Sequence, residues 1–401
     1  MISPSRKNFA SPLEGEADRP QAGREGGTSQ TPRTSPLPDP PPQGGREQEG
    51  LHPQGERERS GVADNRSEPS VARDRDRRDR TEQKRRPKRD VHGWLVLDKP
   101  VGMTSTHAVS VVKRLFSAKR AGHAGTLDPL ASGCLPIALG EATKTVMYVM
   151  DGRKHYLFTV RWGEERDTDD AEGRVVATSE NRPSAEAIRA LLPRFTGTIE
   201  QVPPQFSAIK VEGERAYDIA RDGAAVELKA RPIEIYRLQL VGMADGDHAD
   251  FAAECGKGAY VRALARDLGR ALGCLGHVGS LRRTAVGPFT EADMIPLAQL
   301  EALCDRAPVG ETSLADALLP VSTALDDIPA LAVSRADAAR LQRGHAVLMR
   351  GRDAPIVHGT IYVTVAGQLV ALAEMDRGEI VPKRVFNLAG LHGKAGRQQG
   401  V

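Results

Sequence analysis

Residues 1–90 contain only eight members of the Ile, Leu, Val, Met, Phe, Trp and Tyr set, one aromatic (Phe9), and 12 of the chain's 27 prolines. Such a stretch cannot bury enough apolar surface to offset the entropy lost on ordering it, so a disordered low-complexity tail is expected there. It ends in the mixed-sign run Arg73-Asp74-Arg75-Asp76-Arg77-Arg78-Asp79-Arg80 and the basic run Lys84-Arg85-Arg86-Pro87-Lys88-Arg89. Runs of this kind are ordinarily solvated; the alternatives are an RNA-tethering arm or a start codon set too far upstream. The fold must then be specified by the remaining chain of about 310 residues, enough for one large domain and a small one.

Several classes are excluded at once. No segment approaches the ~18 consecutive apolar residues of a spanning helix, and the amino terminus lacks the apolar stretch of a secretory signal. A cytoplasmic protein with no membrane partner is expected. The tail holds 19 Lys and Arg against 16 Asp and Glu, a balance of +3 that equals the whole chain's, so the remainder is neutral at 37 against 37. A nucleic-acid reading must therefore rest on local patches. Cys134, Cys255, Cys274 and Cys304 form no Cys-x-x-Cys pair and have no His at ligand spacing, which predicts reduced thiols and no structural zinc.

Order is expected to begin at Val91. Gly93 to Pro100 reads as a strand closed by a turn, and Thr104-Ser105-Thr106 offers capping hydroxyls to a helix carrying Val109, Val112 and Phe116. Residues 155–162 alternate, with Tyr156, Phe158, Val160 and Trp162 on one face and Leu157, Thr159 and Arg161 on the other, as in a strand with one buried side. Ser184 opens a helix through Ile188, Leu191 and Leu192, with Gly197 after it. Strands are predicted at 231–241 and 249–255, and a helix from Tyr260 to Leu272 turns Val261, Leu264, Leu268 and Leu272 inward. Pro203 to Gly223 looks like a polar excursion from the sheet, and its stretch from Gln205 through Tyr217 and Arg221 is suited to a mobile flap. Strands scattered among helices without βα alternation predict an α+β fold with a mixed, mainly antiparallel sheet and flanking helices. Beyond about residue 325, short strands at 347–349, 360–365, 369–374 and 381–386 outline a small β-barrel.

The chemistry is concentrated in Gly122-His123-Ala124-Gly125-Thr126-Leu127-Asp128-Pro129-Leu130-Ala131-Ser132-Gly133. Its glycines and proline describe a tightly bent loop that holds Asp128 in one place. A lone Asp-Pro is ordinarily a turn cap, but the surroundings are one-signed: from Lys99 to Leu127 there is no acid, whereas Lys99, Lys113, Arg114, Lys119 and Arg120 are basic. A single carboxylate facing a basic surface suits a reaction on a polyanion. A second basic stretch surrounds Gly256-Lys257-Gly258-Ala259-Tyr260-Val261-Arg262, and no acid occurs between Asp267 and Glu291 while Arg270, Arg282 and Arg283 do. Arg262 falls in the first turn of the predicted helix, where a cation opposes the macrodipole. An ion pair to a buried carboxylate would explain that placement. The acidic segment Glu164 to Gly173 lacks the ligand spacing of a calcium loop and reads as a solvated hairpin. No phosphate-cradling glycine motif appears, so no nucleotide cofactor is expected.

The Gly-His-Ala-Gly-Thr-Leu-Asp-Pro segment, with Leu97-Asp98-Lys99-Pro100 before it and Gly140-Glu141-Ala142-Thr143-Lys144 and Lys257-Gly258-Ala259-Tyr260-Val261-Arg262 after it, resembles the bacterial tRNA pseudouridine-55 synthase family, the TruB type. The similarity runs in order from about Val91 to Leu281 and continues weakly to the carboxyl end. Ala124 departs from the threonine common in the family. The resemblance implies a pseudouridine synthase catalytic domain at 91–325, a PUA-like RNA-binding domain at 326–396 and a flexible end at 397–401. It further implies that Asp128 is the catalytic aspartate and pairs with Arg262, and that Tyr156 packs against the target base. His123, Tyr260 and Leu281 would line the uridine pocket, and Lys99 and Lys144 would lie near the RNA or the sheet edge. The partner would be the T-arm of tRNA and the enzyme a monomer. Isomerising uridine requires no redox cofactor and no metal, so no cofactor is expected. The rival expectation is an RNA-binding module that grips the same T-arm without chemistry.

Overall fold

The computed structural model describes residues 87–207, 209–211, 214–215, 228–305, 314–349 and 357–388. Most of the expected tail, the larger part of the expected flap, and the end at 397–401 lie outside these residues. Residues just ahead of Val91 are already tied to the fold. Arg89 bridges to the chain at Ala118, its N–H donating to Ser117 O at 2.7 Å, and Asp90 pairs with Lys119 at 2.7 Å.

The strands are β1 (Gly93–Lys99), β2 (Ala121–His123), β3 (Ala131–Leu139), β4 (Lys154–Trp162), β5 (Glu164–Arg166), β6 (Val175–Thr178), β7 (Gly197–Gln201), β8 (Lys210–Val211), β9 (Glu214–Arg215), β10 (Arg231–Met243), β11 (His248–Cys255), β12 (Gly276–Val286) and β13 (Met294–Pro296). The helices among them are α1 (Ser105–Leu115), α2 (Val146–Asp151), α3 (Ala185–Leu191), α4 (Val261–Ala271) and α5 (Leu297–Asp305). Nine strands form one sheet in the order β13-β1-β3-β12-β4-β11-β10-β7, with β2 paired to β3. Only β1–β13 and β3–β12 are parallel, so the sheet is mixed and mainly antiparallel as predicted.

The unbroken apolar run of β1 follows from burial on both faces. Leu95 and Leu97 enter the core beneath α1 and α4, while Trp94 and Val96 enter a second cluster with Phe289, Leu369, Leu372 and Phe386. In β4, Phe158, Val160 and Trp162 are buried and Leu157 is exposed, as alternation demands. Thr104 caps α1, accepting from His107 N–H at 3.1 Å, and Ser184 caps α3, accepting from Ala187 N–H at 3.2 Å. Gly197 is more than a helix stop: at φ +92° it opens β7. The sequence reading missed β3, whose Gly133 and Pro136 disguise a central strand.

The carboxyl part adds β14 (Ala330–Ala332), α6 (Arg335–Gln342), β15 (Val347–Leu348), β16 (Gly359–Val365), β17 (Gln368–Asp376) and β18 (Glu379–Val385). These strands form a five-stranded sheet in the order β14-β16-β17-β18-β15, bulged at Val363/Thr364 and at Leu372/Ala373. Among the described residues β14 and β15 remain its edges and no pairing joins them, so the closed barrel expected from the sequence is here an open sheet. Its connection to the nine-stranded sheet is polar as well as apolar: Lys144 Nζ donates to Val385 O at 2.7 Å, and Asn387 N–H donates to Glu141 Oε2 at 2.8 Å. Among the described residues no helix is long and apolar enough to cross a membrane.

Candidate active site

The loop between β2 and β3 is fixed from three directions. Buried Ser105, at the start of α1, accepts from Leu127 N–H at 2.8 Å and donates to Leu127 O at 2.9 Å, which pins the residue before Asp128. Buried Arg283 on β12 donates to Gly125 O at 3.0 Å, Thr126 O at 3.3 Å and Cys134 O at 2.8 Å. Gly125 has φ +96°, and a Cβ there would meet Arg283 Nη1 at 3.4 Å, so turn and arginine are fitted to each other. From below, the fully buried Lys99 ammonium donates to Met103 O at 2.7 Å, Pro100 O at 2.9 Å and Pro129 O at 3.4 Å. Burial lowers its pKa to about 8, Arg283 pushing the same way against the attraction of Asp128 and Glu172.

Asp128 so presented meets Arg262 on the first turn of α4, with Nε 2.9 Å from Oδ2. The guanidinium is 6% exposed and the carboxylate 35%, so the cation is the fixed partner and the anion the accessible one. Arg262 Nη1 donates to Thr168 O at 2.8 Å and lies 3.4 Å from Asp170 Oδ2, and Nη2 donates to Phe206 O at 2.9 Å. Although Nε is at ion-pair distance from Asp128, it makes no hydrogen bond. Its N–H points off the line to the oxygen, so charge attraction holds the carboxylate without saturating its lone pairs. That off-axis pairing leaves Asp128 free to engage another group.

A cavity of about 300 Å³ opens at this carboxylate, walled by Tyr156, Tyr260, Leu281, Lys154, Arg262 and Arg283 among others. Tyr156 comes from β4 and Leu281 from β12, whose Leu281 is paired to Phe158 in β4 and to Ala131 at the start of β3. Tyr260 precedes α4 and its backbone is clamped by the Gln201 side chain, which accepts from Tyr260 N–H at 2.9 Å and donates to Tyr260 O at 3.1 Å. Burial pushes both phenols up, so each stays a neutral donor; Arg283 beside Tyr156 and the polar surroundings of Tyr260, Arg262 among them, pull the other way. Burial, helped by Arg283, also lowers Lys154 to about 8, and its ammonium donates to Met150 O and Gly152 O. The site therefore joins one accessible carboxylate, one clamped guanidinium, two aromatic rings and an apolar wall, a combination suited to a flat base joined to an electrophilic sugar carbon.

Of the residues singled out from sequence, Asp128, Tyr156, Tyr260, Arg262 and Leu281 meet at this cavity. His123 ends β2 in the same loop but does not line the cavity; burial, with Arg283, lowers its pKa against the opposing effect of the Gly125 backbone. Lys99 lies beneath the loop rather than on an RNA-facing surface, because its three carbonyl acceptors sit inside the fold. Lys144 is not brought to the cavity; it pairs with Glu141 at 2.6 Å and reaches Val385 in the carboxyl sheet. The acidic segment forms the β5–β6 hairpin but is not simply solvated. Asp169 and Asp170 are buried, facing Arg266 and Arg262 on α4. Arg262 and Arg266, four apart on one helix face, were the available signal for those aspartates. Arg283 was visible only as one cation in an acid-free stretch.

The chain's likeness to known proteins agrees with this geometry. Residues 113–261 match the TruB family pseudouridylate synthase (N terminal domain), and residues 262–326 match the tRNA pseudouridylate synthase B C-terminal domain. A tRNA pseudouridine synthase B of Bradyrhizobium diazoefficiens is 75% identical over 317 residues, 79% of this chain and 92% of the relative. That of Rhodopseudomonas palustris is 76% identical over 307 residues, 77% and 84% of the two chains. In architecture the chain is similar to a solved Cbf5-Nop10-Gar1 complex, at TM-score 0.57 and 25% identity over 74% of this chain and 84% of that one. It is also similar to the archaeal box H/ACA sRNP Nop10-Cbf5 complex, at TM-score 0.58 and 24% identity over 76% and 89%. With these matches added to a carboxylate, guanidinium and tyrosines gathered at one cavity, the chain belongs to the TruB family of pseudouridylate synthases.

Proposed function

We propose that this chain converts uridine-55 in the T-loop of tRNA to pseudouridine, with Asp128 as the catalytic carboxylate. The observation that carries this reading is the 2.9 Å approach of Arg262 to Asp128 at the mouth of a cavity about 300 Å³ in volume. The target nucleotide leaves its stack at a cost of roughly a few kcal/mol and enters between Tyr156 and the apolar wall at Leu281. The bond from N1 to C1′ breaks, the base turns while stacked, and C5 joins C1′. The C5 proton is lost and N1 regains one, so composition is unchanged and no electrons are exchanged with a cofactor. Asp128 serves either by attacking C1′ or by removing a sugar proton, and both routes use the same anion, much as carboxylates act at an anomeric centre. Stacking on Tyr156 tolerates rotation in the ring plane.

The carboxyl sheet is proposed to be of the PUA type and to contact the same tRNA, and the enzyme to act as a cytoplasmic monomer. Carbodiimide mapping of pseudouridine in tRNA treated with the protein tests the reading. Asp128→Asn should retain tRNA binding and form no pseudouridine, whereas full activity in that variant would remove Asp128 from the mechanism. Binding should weaken with added salt as phosphate counterions are released, and salt-independent binding would count against a cationic tRNA surface.

A further inference from the structure

Helix α4 presents three arginines at successive turns to the β5–β6 hairpin. Arg262 reaches Asp170, Arg266 reaches Asp169 at 2.9 Å, and Arg270 reaches Glu165 through two bonds of 2.6 and 2.8 Å. The outermost arginine is half exposed, while both members of the middle pair are below 10% exposed. The middle pair contains neither a cavity residue nor a contact to Asp128, yet it adjoins part of what orients Arg262. Thr168 O and Asp170 Oδ2, on either side of Asp169, are two of the groups facing the Arg262 guanidinium. Asp169 itself has φ +60°, a left-handed conformation that is costly for a residue with a Cβ. That backbone is held by Asp169 N–H to Arg166 O at 3.0 Å and by Val278 N–H to Asp169 O at 3.1 Å, while Arg266 anchors the side chain. Arg266 also donates to Val202 O at 2.8 Å, close in sequence to the Phe206 carbonyl that Arg262 holds.

A buried ion pair adds little stability over a well-packed apolar pair, so its presence points to orientation more than to strength. We propose that Asp169 and Arg266 are positioning residues that lock the Thr168–Asp170 turn and thereby aim Arg262 at Asp128. This rests on the reading of Asp128 as the catalytic carboxylate. Burial raises Asp169 to about 6, against the opposing charges of Arg266 and Arg262.

The test uses the full chain and tRNA labelled with tritium at uridine C5, whose release follows turnover, at a temperature where each variant is folded by circular dichroism. Asp169→Asn keeps the size and the left-handed tolerance of the side chain and removes only its charge. It should lower kcat about tenfold and change KM less than about twofold, since misorientation acts on the bound complex. Arg266→Gln should behave alike, and the double variant should be no slower than the slower single, as expected for one coupled unit. An unchanged kcat, a loss confined to KM, or additive losses in the double variant would each overturn the proposal. If Asp169→Asn fails to fold, Arg266→Lys retains the buried charge without the planar fork and decides the matter by the same kcat and KM comparison. Asp128→Asn is run alongside: turnover in that variant would overturn the reading of the site itself, whatever the Asp169 variants do.

Discussion

The carboxylates of Asp128 and Glu141 are both held by cationic side chains, yet they do opposite things. Glu141 is 4% exposed and its oxygens accept from Arg120 at 2.7 Å, Lys144 at 2.6 Å and the Asn387 N–H at 2.8 Å. With these partners it is a joint between the catalytic sheet and the carboxyl sheet. Asp128 is 35% exposed, is approached by a guanidinium whose Nε–H is misaligned with it, and faces a cavity. An ion pair alone therefore does not identify a reactive group. Unsatisfied acceptor capacity turned toward an accessible space is what favours reading Asp128, and not Glu141, as the reactive carboxylate.

The largest effect should come from the arginine of the first cluster. Arg262→Gln removes the charge at Asp128 and leaves buried Asp170 without its cation, and single-turnover rates should fall about 10²- to 10³-fold, as for loss of one preorganised electrostatic group. The matching change in the second cluster, Arg120→Gln, should leave the rate within about twofold, because that side chain is mostly solvated. A comparable loss from both would erase the distinction. Next in size, Glu141→Gln should cost about 2–3 kcal/mol in urea unfolding, less than a fully buried pair because Arg120 is exposed, while turnover of the folded enzyme is kept. A variant as stable as wild type would mean that the joint carries no weight.

Ser105→Ala sharpens the comparison from the loop side. It deletes both bonds to Leu127, so about 1–2 kcal/mol should be lost. Because Leu127 precedes Asp128, kcat should also fall about tenfold with KM nearly constant. A stability loss with unchanged kcat would show that the loop is held well enough by Arg283 and Lys99.

The sheet and the central site were legible in the sequence because their signals are local. Alternation in 155–162, a capping Ser or Thr, and three glycines around Asp128 each describe a few adjacent residues. What was lost depends on contacts distant in the chain. Lys99 and Lys144 were expected near the RNA or the sheet edge, since lysine is seldom buried, and only the fold reveals the carbonyls of Met103 and Val385 that accept from them. Asp169 and Asp170 read as solvated for the same reason, their arginines lying about 90 residues onward. Strand β3 was hidden by Gly133 and Pro136, whose local preferences are overridden by pairing with β1 along its whole length.

The smallest effect separates the clusters by pH. Burial alone would raise Glu141, but the Lys144 bond, the Asn387 N–H and the charges of Lys144 and Arg120 together hold it below its ordinary 4.5. Its contribution to stability is therefore present above pH 4.5 and lost as the pH falls through the lower value of the folded state. Asp169, beside the Asp128–Arg262 pair, is shifted the other way by burial, from 3.8 to about 6, so its contribution is present below 3.8 and lost as the pH rises through 6. Urea unfolding between these limits should show the gap between wild type and Glu141→Gln narrowing as acid is added. The gap between wild type and Asp169→Asn should change in the opposite sense, because removing Asp169 removes a term that favours the folded state only in acid. Parallel pH dependences for the two variants would show that burial does not dominate at Asp169, and that both clusters hold their carboxylates by the same balance of charge over desolvation.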